Sequence, residues 1–240
     1  MGLFRKKSAP ARVPYTAAVI VAAGSATRMG GVDKILAPIG LEPAIVRAVR
    51  PFQSCDCIRE IVVVTREDLL VDVSRAMHMA HFDKVTMVVC GGATRAESVS
   101  RGLDTVSKKT KLAAIHDGAR PFVTEDVIER AVRAAAKFGA AAPAIPVKDT
   151  IKRAESGLVL ETPDRSTLFA VQTPQVFRTE EIRSVLRCAI AQGLPLTDDC
   201  SAMEAAGRPV RLTPGDVENL KITTPVDLRI AEAIWKGRTT

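Results

Sequence analysis

The chain has 240 residues, 47% of them hydrophobic, and carries a formal net charge of +7 with a pI near 9.4, which is enough apolar material for a substantial core and is most economically a single α/β domain. No run approaches the roughly 18 apolar residues of a membrane span, and five scattered cysteines fit reduced thiols better than a disulfide framework. Aromatic residues are only 4% of the chain and no basic cluster is interleaved with them, so nucleic acid is a poor explanation of the positive charge and small anionic substrates are a better one.

Residues 1–16 begin with MGLFRKKSAPARVPY, which is basic but lacks the apolar centre of a signal peptide; they read as a disordered tail on a cytoplasmic protein, with residues 17–240 as the one domain. Residues 17–22 (AAVIVA) are small and apolar without alternation, which predicts a central strand buried on both faces of a parallel sheet. The next loop holds Gly24, Gly30 and Gly31, which let backbone N–H groups approach a phosphate chain, together with the cations Arg28 and Lys34. Its spacing matches neither a P-loop nor a dinucleotide fingerprint, and a glycine-rich turn with two solvated cations is the alternative. A helix over 43–52, a strand over 60–65, a helix over 67–79 and a strand over 84–90 then follow in βαβα order. That order implies a right-handed, largely parallel twisted sheet with helices on both faces and ligands beyond the carboxyl ends of the strands.

Gly91-Gly92 closes the 84–90 strand and leads into a helix to about residue 106, so its backbone could meet a flat ring edge, with Arg95 and Ser98 one turn apart on that helix. The strand 112–116 ends in Asp117-Gly118-Ala119-Arg120. A lone carboxylate there, facing an anion site, needs a cation: Mg²⁺ shared with a triphosphate is one reading, and a helix-capping or Arg120-paired aspartate is the other. A helix runs to about residue 138, and from residue 140 the composition shifts. Two short extended pieces bracket Glu155-Ser156-Gly157 and predict a β-hairpin arm over about 144–169, too small to be stable alone and therefore expected to pack on a second subunit. Residues 197–204 read as a capped helix start in which Thr197 could hydrogen-bond an acceptor. A strand over 208–213, Lys221 as a third cation for phosphates, and a last helix with Pro225 in its first turn complete the chain.

Ala22-Ala23-Gly24, Arg28-Met29-Gly30 and Lys34 resemble the nucleotide-binding signature of nucleotidyltransferases that couple a sugar phosphate to a nucleoside triphosphate. With Gly91-Gly92-x-x-Arg95-x-x-Ser98-Val99, residues 146–152, Asp164-Arg165 and Gln172-Thr173-Pro174-Gln175, the stretch 17–232 resembles, in order, the cytidylyltransferases that act on 2-C-methyl-D-erythritol 4-phosphate in the non-mevalonate isoprenoid pathway. The resemblance implies a Rossmann-like nucleotidyltransferase fold and transfer of CMP from CTP to that acceptor. It implies charge neutralisation by Arg28, Lys34 and Lys221, and a nucleotide held by Ala22, Ala23, Gly24, Gly91, Gly92, Arg95, Ser98 and Asp117. It places Mg²⁺ or another divalent cation on Asp117, and the acceptor near Asp117, Arg120, Arg165, Thr173 and Thr197, with Arg165 delivered across a homodimer by the arm. The chain departs from the family pattern at Val21, Asp33, Ile35-Leu36, Ala93 and Gly118. A pentitol-phosphate (ribitol 5-phosphate) cytidylyltransferase is the nearest rival, although Asp117-Gly118-Ala119-Arg120 and Thr197-Asp198-Asp199 stand nearer the methylerythritol pattern. A catalytically silent nucleotide- or nucleic-acid-binding protein is favoured only by the pI.

Overall fold

The computed structural model describes residues 13–24 and 33–239. Strand β1 (Thr16–Ala22) leads to a short ladder of β2 (Pro38–Ile39) and β3 (Glu42–Pro43), then to helix α1 (Ala44–Ser54). Next come β4 (Glu60–Thr65), α2 (Leu70–Met79), β5 (Val85–Cys90), α3 (Arg95–Thr105), β6 (Leu112–Asp117) and α4 (Glu125–Phe138). The second half holds β7 (Ala140–Pro146), β8 (Arg153–Glu155), β9 (Leu158–Glu161), β10 (Phe169–Val171), β11 (Gln175–Arg178), α5 (Thr179–Ala191), α6 (Asp199–Ala205), β12 (Arg211–Pro214) and α7 (Pro225–Thr239).

An eight-stranded sheet in the order β10-β7-β11-β6-β1-β4-β5, with β12 on β7, organises the molecule. The block β6-β1-β4-β5 is parallel, as the βαβα order predicts, and β12 is parallel to β7. β11 runs antiparallel between β6 and β7, and β10 antiparallel to β7, so the sheet is mixed and mostly parallel. β1 is the centre. Its Ala18, Ile20 and Ala22 pack into one apolar layer with α1, α2 and α4, while Ala17 and Val19 pack into the other with α3, α5 and α6. Burial on both faces is why that strand reads as continuous apolar sequence.

The arm is rooted at the sheet edge, where β7 pairs with β10, and ends in the separate β8-β9 hairpin. Its turn has Ser156 and Gly157 both at positive φ (50° and 81°), the conformation a two-residue primed turn requires. Pairing of the main sheet begins at Thr16, which faces Leu112 across β6. Residues 1–12 of the expected tail lie outside the described residues. No helix among the described residues is long and apolar enough to cross a membrane.

Candidate active site

A cavity of about 370 Å³ opens beyond the carboxyl ends of β1, β4, β5 and β6. Ala22, Ala23, Gly24, Lys34, Gly92, Arg95, Ser98, Asp117 and Lys221, all expected from the sequence, line it, and Arg66 lines it without having been expected. Arg28 lies outside the described residues. Gly91, Arg120, Arg165, Thr173 and Thr197 do not belong to the lining.

Asp117 ends β6, and its carboxylate is the electrostatic centre. Lys221 Nζ stands 2.8 Å from Oδ2, Arg95 Nη2 3.3 Å from Oδ1 and Arg120 Nε 3.8 Å from Oδ2. Burial works against the charge, but the field of Arg95, Lys221 and Arg120 outweighs it and holds Asp117 well below the usual carboxylate range. The cation-paired alternative for this aspartate is therefore satisfied, with partners beyond Arg120. Lys221 reaches it because the next residue, Ile222, is buried under α7 and donates its N–H to the Ala119 carbonyl. Lys34 sits in a turn pinned on both sides: the Ile35 N–H donates to Asp33 Oδ1 at 2.8 Å, and the Ile35 side chain is in the core.

Arg95 makes a two-pronged contact with Asp199, Nη1 to Oδ1 at 2.9 Å and Nη2 to Oδ2 at 2.8 Å. The guanidinium expected at the nucleotide thus spans two carboxylates and ties α3 to α6 and β6. Burial raises the proton affinity of Asp199 despite Arg95, so the shared cation leaves Asp117 as the more firmly ionised of the two. Gln175 Oε1 accepts the N–H groups of Asp199 and Cys200, and its Nε2 donates to Asp198, which fixes the start of α6. Asp199→Ala should cost about 2–3 kcal/mol of unfolding free energy, less than a fully enclosed pair because Arg95 is still 31% exposed and can turn to water. Denaturant titration measures this, and a loss near zero would mean the fork does not brace the fold.

The Gly91-Gly92 turn is held tightly. A Cβ on Gly91 would stand 2.5 Å from Ala23 Cβ and 2.7 Å from Ser98 Oγ, so only glycine lets the turn lie against the β1 loop. Ser98 is buried behind the turn, accepting the Gly92 N–H at 3.1 Å and donating to the Thr94 carbonyl at 2.9 Å. The Gly91 N–H donates to Thr65 O, and the Ala93 N–H to Glu97 Oε2. Thr94 and Glu97 form a capping box that starts α3.

Apart from Gly91, the expected residues outside the cavity lining fall into two groups. Thr173 is buried beside His116, whose Nε2 faces the Arg120 carbonyl; a carbonyl only accepts, so Nε2 carries the proton and Nδ1 accepts from the Thr173 hydroxyl at 2.8 Å. Burial pushes His116 down to about 4, which keeps the ring neutral. Thr173 Oγ1 also accepts the Asp117 N–H at 3.1 Å, so its one proton points to His116 and its oxygen positions Asp117. Arg120 donates to the Asn219 carbonyl at 2.7 Å. Thr197 and Arg165 are the exposed pair: Thr197 directly precedes the Asp198 cap of α6, and Arg165 lies on the arm with Nη1 donating to the Lys148 carbonyl.

Asp117 is buried and is the one carboxylate among the described residues that line this cation-rich cavity, and Mg²⁺ commonly takes one or two protein carboxylates and completes its shell with phosphate oxygens and water. Among the described residues there is no group of three acidic, histidine or cysteine side chains that would hold a metal by itself. The donor set therefore fits a metal brought with a polyphosphate.

The chain matches the IspD family model, 2-C-methyl-D-erythritol 4-phosphate cytidylyltransferase, over residues 16–237. It is 45% identical over 218 residues to the protein of that name from Symbiobacterium thermophilum, covering 90% of this chain and 91% of the relative. The Caldanaerobacter subterraneus protein of the same name is 43% identical over 218 residues, with 90% and 96% covered. Among solved structures, the 4-diphosphocytidyl-2C-methyl-D-erythritol synthase of Anaerococcus prevotii superposes with a TM-score of 0.85 at 27% identity, covering 95% of this chain and all of that one. The Thermus thermophilus 2-C-methyl-D-erythritol 4-phosphate cytidylyltransferase superposes with a TM-score of 0.76 at 30% identity, covering 91% and 98%.

Proposed function

The chain belongs to the 2-C-methyl-D-erythritol 4-phosphate cytidylyltransferase family, and from that premise we propose how its residues divide the work. It is a nucleotidyltransferase of isoprenoid biosynthesis that transfers CMP from CTP to 2-C-methyl-D-erythritol 4-phosphate and releases pyrophosphate. One observation carries the division of roles: Lys34 and Lys221 converge with the Gly24 and Gly92 turns on a single cavity beside an ionised Asp117. The acceptor is a phosphate monoester with a second pKa of ~6, so its oxygen is already a nucleophile and no general base is required. It attacks the α-phosphorus of CTP in line. Catalysis is then positioning and neutralisation of a crowded anionic transition state by Lys34, Lys221 and Arg28.

Asp117 would hold Mg²⁺ or another divalent cation, which when bound supplies charge neutralisation on the triphosphate. Arg120, Thr197 and a partner-delivered Arg165 take the acceptor, and Thr173 serves that end by fixing the Asp117 backbone through the contact described above. The arm exposes Leu158, Val159 and Leu160 on an isolated hairpin, an apolar strip that a second copy would cover in a homodimer. We read residues 17–240 as one cytoplasmic domain. The test supplies CTP and Mg²⁺ with each polyol phosphate separately and follows pyrophosphate release: turnover is expected with the methylerythritol phosphate. A preference for ribitol 5-phosphate would move the assignment to the pentitol enzymes, and silence with both would leave a binding protein.

Selectivity for the base follows from the Gly91–Ala93 turn. Its three N–H groups are already donated within the protein, whereas Gly92 and Ala93 line the cavity and a carbonyl oxygen has two lone pairs, the Gly92 oxygen receiving a long contact from Ser98 Oγ at 3.5 Å. Acceptors suit the exocyclic amino group of cytosine and oppose the carbonyl that uracil carries there. CTP should be preferred over UTP by ~10² in kcat/KM. Competition between the two nucleotides measures this, and equal use would remove the turn from base recognition.

A further inference from the structure

Arg66, the first residue after β4, donates from Nη1 to the Gly24 carbonyl at 3.1 Å and from Nη2 to Asp33 Oδ2 at 2.6 Å. Gly24 and Asp33 are the two described residues that flank the stretch 25–32 of the nucleotide loop. The guanidinium is itself braced by Asp68, Nε to Oδ1 and Nη2 to Oδ2 both at 3.0 Å, from the 3₁₀ turn Glu67–Leu69. These carboxylates raise the proton affinity of Arg66, led by the Asp68 hydrogen bond against the opposing effect of burial. Asp33 closes the chain of contacts: one carboxylate oxygen takes Arg66 and the other takes the Ile35 N–H, so the backbone on both sides of Lys34 is fixed by one side chain.

We infer that Arg66 is a positioning residue for the nucleotidyl transfer, acting through Asp33 to aim Lys34 and through the Gly24 carbonyl to set the spacing of the loop ends. The inference rests on Lys34 being a phosphate-binding cation. Arg66 suits the task because its planar fork holds Gly24, Asp33 and Asp68 in a fixed geometry that the point-like ammonium of a lysine does not reproduce. The ion pair is partly buried at the surface, with side chains 25% and 20% accessible, so its contribution to stability is modest and its main effect falls on geometry. A displacement of about 1 Å at a charge that must meet a phosphate lowers rates by up to ~10²-fold.

The experiment is a double-mutant cycle of Arg66→Ala and Asp33→Ala, read in kcat/KM for CTP, in KM for the acceptor, in CTP binding by calorimetry and in thermal midpoint. Each single variant should lose ~10- to 10²-fold in kcat/KM for CTP, with the acceptor KM and the thermal midpoint nearly unchanged. The double variant should be no worse than the poorer single one, and Arg66→Lys should fall between wild type and Arg66→Ala. Multiplying losses in the double variant, or an inert Asp33→Ala beside a damaged Arg66→Ala, would put Arg66 directly on the nucleotide and overturn the route through Asp33. A midpoint that falls in step with activity would make the role structural. A wild-type protein without turnover would defeat the functional reading instead, and the same cycle in CTP binding would still decide this inference.

Discussion

Lys34→Ala and Lys221→Ala are each expected to lower kcat by ~10³ while the fold survives. Neither side chain belongs to the core: Lys34 stands on a turn whose packing comes from Ile35, and Lys221 is 40% exposed on a loop anchored by Ile222. In the proposed division of roles each places a fixed charge beside the transferring phosphoryl group, so its removal is expected to act on the transition state more than on the ground state. The two variants should differ in one respect. Lys221 is the cation nearest Asp117, and its loss leaves that carboxylate with the longer contacts to Arg95 and Arg120; on the proposal that Asp117 holds a divalent cation, removing this competing charge should lower the Mg²⁺ concentration that gives half-maximal rate. Arg28→Ala belongs with them on the sequence argument. Steady-state kinetics beside circular dichroism measure the effect, and less than ~10-fold loss in both lysine variants would remove them from the reaction.

The sequence was legible where structure is local. The parallel block could be read because strands buried on both faces are continuous runs of apolar residues, and the family could be read because its glycines and cations fall at strand ends. In the antiparallel half the β8-β9 hairpin was legible from its turn residues, but β7 and β11 were not. β7 reads AAAPAIP, with Pro143 and Pro146 inside a strand that pairs on both sides, and the four residues of β11 carry no alternation long enough to notice. Helix α5 does leave a signal, with Ile182, Leu186 and Ala189 at helical spacing on a buried face. Arg95 and Asp199 are 104 residues apart and Arg66 and Asp33 are 33 apart, so no local pattern announces either pair. Asp33 was visible only as a departure from the family pattern, and the fold supplies its reason by setting Arg66 against it.

On the proposal that the arm delivers Arg165 to the site of a second copy, an exchange experiment between two inactive variants is expected to restore activity. Arg165 lies outside the cavity lining and rests on the Lys148 carbonyl at the base of the arm. The β8-β9 hairpin that ends the arm pairs with no other strand among the described residues, and Leu158, Val159 and Leu160 on it are exposed. A hairpin of that size holds a side chain accurately only when something packs on it, and an apolar strip of this kind is suited to a second copy. Arg165→Ala and Lys34→Ala homodimers should each be nearly inactive. In a mixed dimer one site has both residues and the other has neither; with random exchange about half the dimers are mixed, and recovery should approach roughly one quarter of wild-type activity per chain. Exchange is followed by differently tagged subunits, and activity by pyrophosphate release. Complete exchange without recovery would return Arg165 to its own chain's site or remove it from any site, and the arm would then be only a clasp.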